Sequence, residues 1–157
     1  MKQKQVFLIQ CNSEKADHKY SGEYSDRTYA DEMNKYLYYR NDTWNTEGER
    51  DKDFEEVKPG DVIIQYCAST VKSHPSQIYN IFSVVKTEMI DEEKTKPHII
   101  RLKLERTLKC GCGFSTIRHL VAQGRLSKKM NNCGQRGFNI CKVEFEDYQA
   151  IIDWDNN

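Results

Sequence analysis

Segment 57–69, VKPGDVIIQYCAS, sets the strongest limit on what this chain can fold into. Proline pre-sets φ and glycine supplies the freedom of a tight reversal, so Pro59-Gly60-Asp61 reads as a turn. Val62-Ile63-Ile64 follows as a β-branched run, apolar on both faces, the pattern of a central strand covered on each side. At Gln65-Tyr66-Cys67-Ala68-Ser69 the apolar pattern ends, and polar and aromatic groups arrive at one end of a sheet. Such an end either fixes a ligand or opens an ordinary polar loop. On these residues alone the loop is the simpler reading.

The chain has 157 residues, enough for one domain over residues 1–157 with a sizeable core. Only 38% of it is apolar and 31% is charged, so the core is modest and the loops are long and polar. Lys plus Arg equals Asp plus Glu at 24 each, and no overall positive field draws in nucleic acid. This argues against a protein that coats nucleic acid by net charge and leaves a recogniser with a local basic face open. No apolar run reaches the length of a membrane span, and residues 1–5 lack a signal-peptide core. A cytoplasmic protein is expected, and the six cysteines, Cys11, Cys67, Cys110, Cys112, Cys133 and Cys141, are then expected to be mostly free thiols.

Residues 6–11 read as a first central strand ending in the polar pair Asn12-Ser13. A helix is expected to start at Ser25 or Asp26, because Tyr29, Met33, Tyr36 and Leu37 share one helical face. Residues 41–53 are polar apart from Trp44. Two roles fit that indole: an anchor folded onto the core, or one wall of a stacking pocket. Further strands are expected over 78–86 and 98–106, the latter alternating apolar with charged residues. Cys110-Gly111-Cys112-Gly113 reads as a turn, followed by a helix over 116–123 capped by Ser115 and stopped by Gly124. Residues 128–137 form a loop with local positive charge, 138–143 a last strand, and 146–154 a C-terminal helix.

Motifs of catalysis are missing: there is no Gly-rich phosphate loop, nucleophile elbow or HExxH helix. His18, His74, His98 and His119 are dispersed. Cys110, Cys112, Cys133 and Cys141 supply the four thiols a structural zinc needs, but the C-x-C pair is too tight and the second pair too wide. No metal or cofactor is expected. Nucleic acid fits better. The strand ends offer Asn12-Ser13 and Tyr66-Cys67-Ala68-Ser69, and the loops offer Trp44 and Lys128-Lys129. An aromatic plate would stack on an extruded base, amide and backbone groups would bond its edge, and the lysines or Arg136 would hold flanking phosphates.

The order of these motifs resembles the EVE family of the PUA-like superfamily, to which YTH and ASCH domains also belong. The resemblance runs from Val6 to Ile152 and rests on the VKPGD strand entry and the EFEDYQAII ending. It implies an α+β fold, a small mixed β-barrel flanked by short helices, with an aromatic-lined pocket for a modified base. By position, Trp44-Asn45-Thr46 matches the Trp-bearing pocket segment, Tyr66-Cys67-Ala68-Ser69 the pocket-lining strand end, and Asn12-Ser13 the polar turn. No second Trp falls in 126–138, where a YTH cage has one, and Met130 or Phe138 is the candidate for the other wall.

The resulting expectation is a non-catalytic reader of a modified base in DNA or RNA, fused to or associated with a restriction NTPase or nuclease. One alternative is a small-molecule or protein-interaction module using the same pocket, and another is an ASCH-like hydrolase of a modified nucleoside.

Overall fold

The computed structural model describes residues 3–11, 36–40, 53, 56–70, 74–89, 98–136, 138 and 140–157. The two strands richest in β-branched and aliphatic residues, β1 (Val6–Cys11) and β3 (Val62–Cys67), pair in parallel from Val6↔Val62 to Cys11↔Cys67. Parallel neighbours need a long crossover, and here fifty residues, 12–61, connect them. Around this pair lie β4 (Gln77–Met89), β5 (His98–Gly113), β2 (Tyr36–Arg40) and β6 (Ile140–Val143), all antiparallel to their neighbours. The result is one six-stranded mixed sheet in the order β2-β5-β4-β3-β1-β6, with β2 and β6 at its ends.

Alternation along β1 and β3 divides the core into two clusters. Val6, Leu8, Val62, Ile64 and Tyr66 join one, and Phe7, Ile9 and Ile63 the other. The first is covered by helix α1 (Phe114–Ala122) through Ile117 and Leu120, by a 3-10 helix (Lys128–Asn132) through Met130, and by α2 (Phe145–Asn156) through Ile151. Trp154 packs against the same cluster. Burying a side chain such as Leu8, at 0% exposure, stabilises the fold by about 2 kcal/mol. The paired strands are therefore a rigid base for whatever their ends carry.

The Pro59-Gly60-Asp61 turn forms as expected. Gly60 takes φ +94°, which a side chain would strain. The Asp61 carboxylate accepts the Lys58 N–H at 2.8 Å, the Gln5 N–H at 3.1 Å and the Gln5 Nε2 at 2.9 Å. One buried aspartate thus closes the turn and ties the starts of β1 and β3 together.

Three local expectations are corrected. Tyr36 and Leu37 belong to strand β2, paired with Lys103 and Leu102, and not to a helix. The rest of the expected helix, from Ser25 to Met33, lies outside the described residues. Cys110-Gly111-Cys112-Gly113 is the end of β5 and not a turn, with Ile78↔Cys112 and Gln77↔Gly113 in register. A Cβ at Gly111 would meet the flexible end of the Gln77 side chain, which would have to turn aside. Ser115 does not cap α1; Gly113 is the N-cap, and the Phe114 N–H donates to Ser76 O at 2.9 Å.

Helix α2 begins with a capping box in which Glu144 and Asp147 each accept from the other's backbone. Asp147 also accepts from Ser127 N and Ser127 Oγ, both at 2.7 Å, and so fixes the entry to the 3-10 helix. At the other end Asp155 accepts from Arg106 Nε at 3.0 Å and Lys109 N at 2.8 Å. Helix α2 is pinned to the body at both ends.

Candidate functional site

Because β1 and β3 are parallel, they end side by side at Cys11 and Cys67. Groups on either strand end therefore converge on one edge of the sheet, the geometry that places ligands at strand C-termini in parallel sheets. One step back, Gln10 pairs with Tyr66, and both are buried, at 5% and 1% exposure. Tyr66 hydrogen-bonds Ser76, and burial pushes its phenol pKa up to about 12, so it is neutral at physiological pH.

Gln10 reaches across to the loop after the 3-10 helix. Its Oε1 accepts the Gly134 N–H at 2.8 Å and its Nε2 donates to Gln135 O at 3.1 Å. The basic loop is thereby docked on the strand ends. Lys128 and Lys129 are exposed on the 3-10 helix before it, a helix where a loop was expected over 128–137, and Arg136 is exposed on the loop itself. Lys129 Nζ lies 3.8 Å from Glu144 Oε2 with both side chains about half exposed (54% and 55%), a contact too solvated to neutralise it.

Of the residues expected to line a pocket, Tyr66, Cys67 and Ala68 are buried in and just after β3, and Ser69 is exposed beyond them. Met130 is fully buried in the apolar cluster with Tyr66 and Cys133, and Phe138 packs against that cluster. Asn12, Ser13, Trp44, Asn45 and Thr46 lie outside the described residues. The structure brings the Tyr66–Ser69 strand end together with the basic loop through Gln10.

Two features went unread in the sequence. From Arg106 to Val143 the chain carries Arg106, Lys109, Arg118, Arg125, Lys128, Lys129, Arg136 and Lys142 and not one Asp or Glu. A charge count in windows finds this at once; the zero net charge of the whole chain hides it. The second feature is a buried polar pair on the other sheet face. Gln65 and Asn80 are opposite one another in β3 and β4, each 1% exposed, and Asn80 Oδ1 accepts from Thr107 Oγ1 at 2.9 Å.

The thiols offer little chemistry. Burial pushes Cys112 up to about 12 and Cys141 up to about 11, and raises Cys133 as well, so none is a thiolate at neutral pH. Among the described residues no group of three His, Cys, Asp or Glu is placed to hold a metal ion. No helix of the described residues is long and apolar enough to cross a membrane.

No protein-family model matches the chain, and no curated protein matches it either. Solved structures do. The human THYN1 protein in complex with 5-methylcytosine-containing DNA superposes with a TM-score of 0.71 at 12% identity, covering 98% of each chain. The fold is that of the EVE-type, PUA-like domains. The DUF55 domain of human thymocyte nuclear protein 1 agrees, with a TM-score of 0.65 at 13% identity over 96% of this chain and 98% of that one. The N-terminal domain of McrB from Staphylothermus marinus is more distant, with a TM-score of 0.50 at 11% identity over 94% of this chain and 93% of that one. At such identities the EVE-type likeness speaks for the fold, and each functional residue stands on its own geometry.

Proposed function

We propose that this EVE-type domain is a non-catalytic module that binds DNA carrying a modified base, reading that base in a pocket at the β1–β3 strand ends. The observation that carries the reading is that Gln10 docks onto those ends the loop of Gly134 and Gln135, part of an acid-free segment with Lys128 and Lys129 on the 3-10 helix and Arg136 on the loop. Cations beside a rigid edge hold phosphates, while the edge itself supplies groups that discriminate between bases. A neighbour of the same fold, the human THYN1 protein, is in complex with 5-methylcytosine-containing DNA, which adds support.

In this reading Trp44 stacks on the extruded base, Asn12, Ser13, Asn45 and Ser69 bond its edge, and Thr46 belongs to the same pocket segment as Trp44. Tyr66, Cys67 and Ala68 form the stiff floor that carries Ser69, and Met130 supports that floor from the core. Lys128, Lys129 and Arg136 grip the backbone. The association with a restriction NTPase or nuclease belongs to the same proposal, supported by the likeness to the McrB N-terminal domain. The test is a titration of modified and plain DNA and RNA strands, single and double. A preference for one modified base that is lost in Trp44→Ala supports the reading, and equal affinity for modified and plain strands rejects it.

A further inference from the structure

Among the described residues only Val85 and Phe114 are large hydrophobics left exposed, and Phe114 is 40% exposed. Its setting is unlike that of a stray apolar side chain. Arg118, one helical turn along α1, lies with Cζ 4.6 Å from the ring centroid. The same guanidinium donates from Nη2 to Cys133 O at 3.4 Å, which ties it to the loop that Gln10 holds. Next in that loop is Gly134, where a Cβ would come within 3.0 Å of Phe114 Cε1. A glycine here lets the backbone close against the ring edge. The ring is thus approached by a cation on one face and by backbone on one edge, and the residue still keeps 40% of its surface exposed.

We propose that Phe114 is a second stacking plate, which receives a base neighbouring the one read at the strand end. This deepens the function proposed above and rests on it. Flat aromatic surface flanked by cations suits a nucleobase on a polyanionic strand, because stacking and phosphate attraction act together. The chain around Phe114 has that character: acid-free from Arg106 to Val143, with Arg125, Lys128 and Arg136 exposed. An acidic-poor, apolar protein partner would find the same cations a penalty. Extruding one base also leaves its neighbour unstacked, and that neighbour needs a surface to replace the lost stack.

The experiment measures equilibrium binding by fluorescence anisotropy for wild type, Phe114→Ala, Phe114→Leu and Phe114→Tyr. The probes are strands with 5-methyl-, 5-hydroxymethyl- or N4-methylcytosine, and the tightest of these with an abasic site one nucleotide to either side of the modified base. Leucine keeps apolar packing on Gly134 but has no flat face, so a folding defect in the alanine variant does not blunt the test. The expected result is about tenfold weaker binding for both the alanine and leucine variants, recovery in tyrosine, and no loss on the strand abasic at the stacked position. Equal losses on intact and abasic strands, or alanine and leucine variants that bind like wild type, overturn the plate. Wild type that keeps its preference for a modified base, with Phe114 variants that keep the same preference and affinity, removes the plate and leaves the function standing. Wild type that binds none of the strands overturns both.

Discussion

Gln10 Oε1 accepts the Gly134 N–H at 2.8 Å across 124 positions of sequence. With Nε2 donating to Gln135 O, one buried side chain satisfies a donor and an acceptor of the basic loop. Glutamate has nearly the same shape but only acceptors, so Gln10→Glu sets a carboxylate against the Gln135 carbonyl. The substitution is expected to cost about 2–3 kcal/mol in urea unfolding and to speed hydrogen exchange at the Gly134 amide. Unchanged exchange at Gly134 would mean that the loop is held by other contacts.

Helix α2 depends on two buried carboxylates. Asp155, 6% exposed, meets Arg106 Nη2 at 2.8 Å, and Asp147, 1% exposed, serves Ser127 and Glu144. Removing either takes the acceptor away from part-buried donors. Asp147→Ala and Asp155→Ala are each expected to cost about 3 kcal/mol, read from the urea midpoint at constant slope. A Glu146→Ala control on the exposed face of α2 is expected to change stability by less than about 0.5 kcal/mol.

The thiols make an alkaline prediction. The ordinary cysteine value is 9.0, burial raises Cys112 to about 12 and Cys141 to about 11, and Tyr66 rises from 10.0 to about 12. Each group binds its proton more tightly in the folded state, so its contribution is complete below the unfolded value and is lost as pH rises through the folded one. Stability is expected to hold up to about pH 9 and fall between pH 9 and 12. Tyr66→Phe is expected to flatten that fall above pH 10. Under native conditions at pH 8, iodoacetamide is expected to reach exposed Cys110 well before buried Cys67, Cys112 and Cys133, as mass spectrometry of the peptides would show.

How much of this could be read beforehand depends on whether local or distant contacts decide each element. β1, β3 and the Gly60 turn were legible because their apolar runs and turn chemistry carry their own signal. β2 was not. Tyr36 and Leu37 satisfy a helical spacing as well as a strand, and it is pairing with Lys103 and Leu102 of β5 that selects the strand. Likewise the two glycines around Cys112 suggest a turn, whereas the register with Gln77 and Ile78 keeps the chain extended. The end of β3 at Tyr66 and Cys67 was legible as well, because the apolar run stops just before it. Gln10, which holds the basic loop there, carries no local mark, because its partners lie 124 and 125 positions away. Trp44 and its neighbours are outside the described residues, so the indole wall rests on sequence and resemblance.

The basic loop carries a prediction about salt. Each phosphate contact that is lost reduces the salt slope of binding by roughly one unit on duplex DNA. Lys128→Ala, Lys129→Ala and Arg136→Ala are expected to weaken modified and plain strands by the same factor while lowering that slope. A variant that altered the preference between the two strands without touching the slope would place its side chain at the base instead.

The central proposal is that the domain recognises one modified nucleobase by stacking it on the Trp44 indole. The most direct measurement is the ratio of Kd values for plain and modified strands in wild type and Trp44→Ala at one fixed salt concentration. The account predicts a ratio well above ten in wild type that collapses to about one in the variant, while affinity for the plain strand barely moves. An equal ratio in both proteins would contradict it.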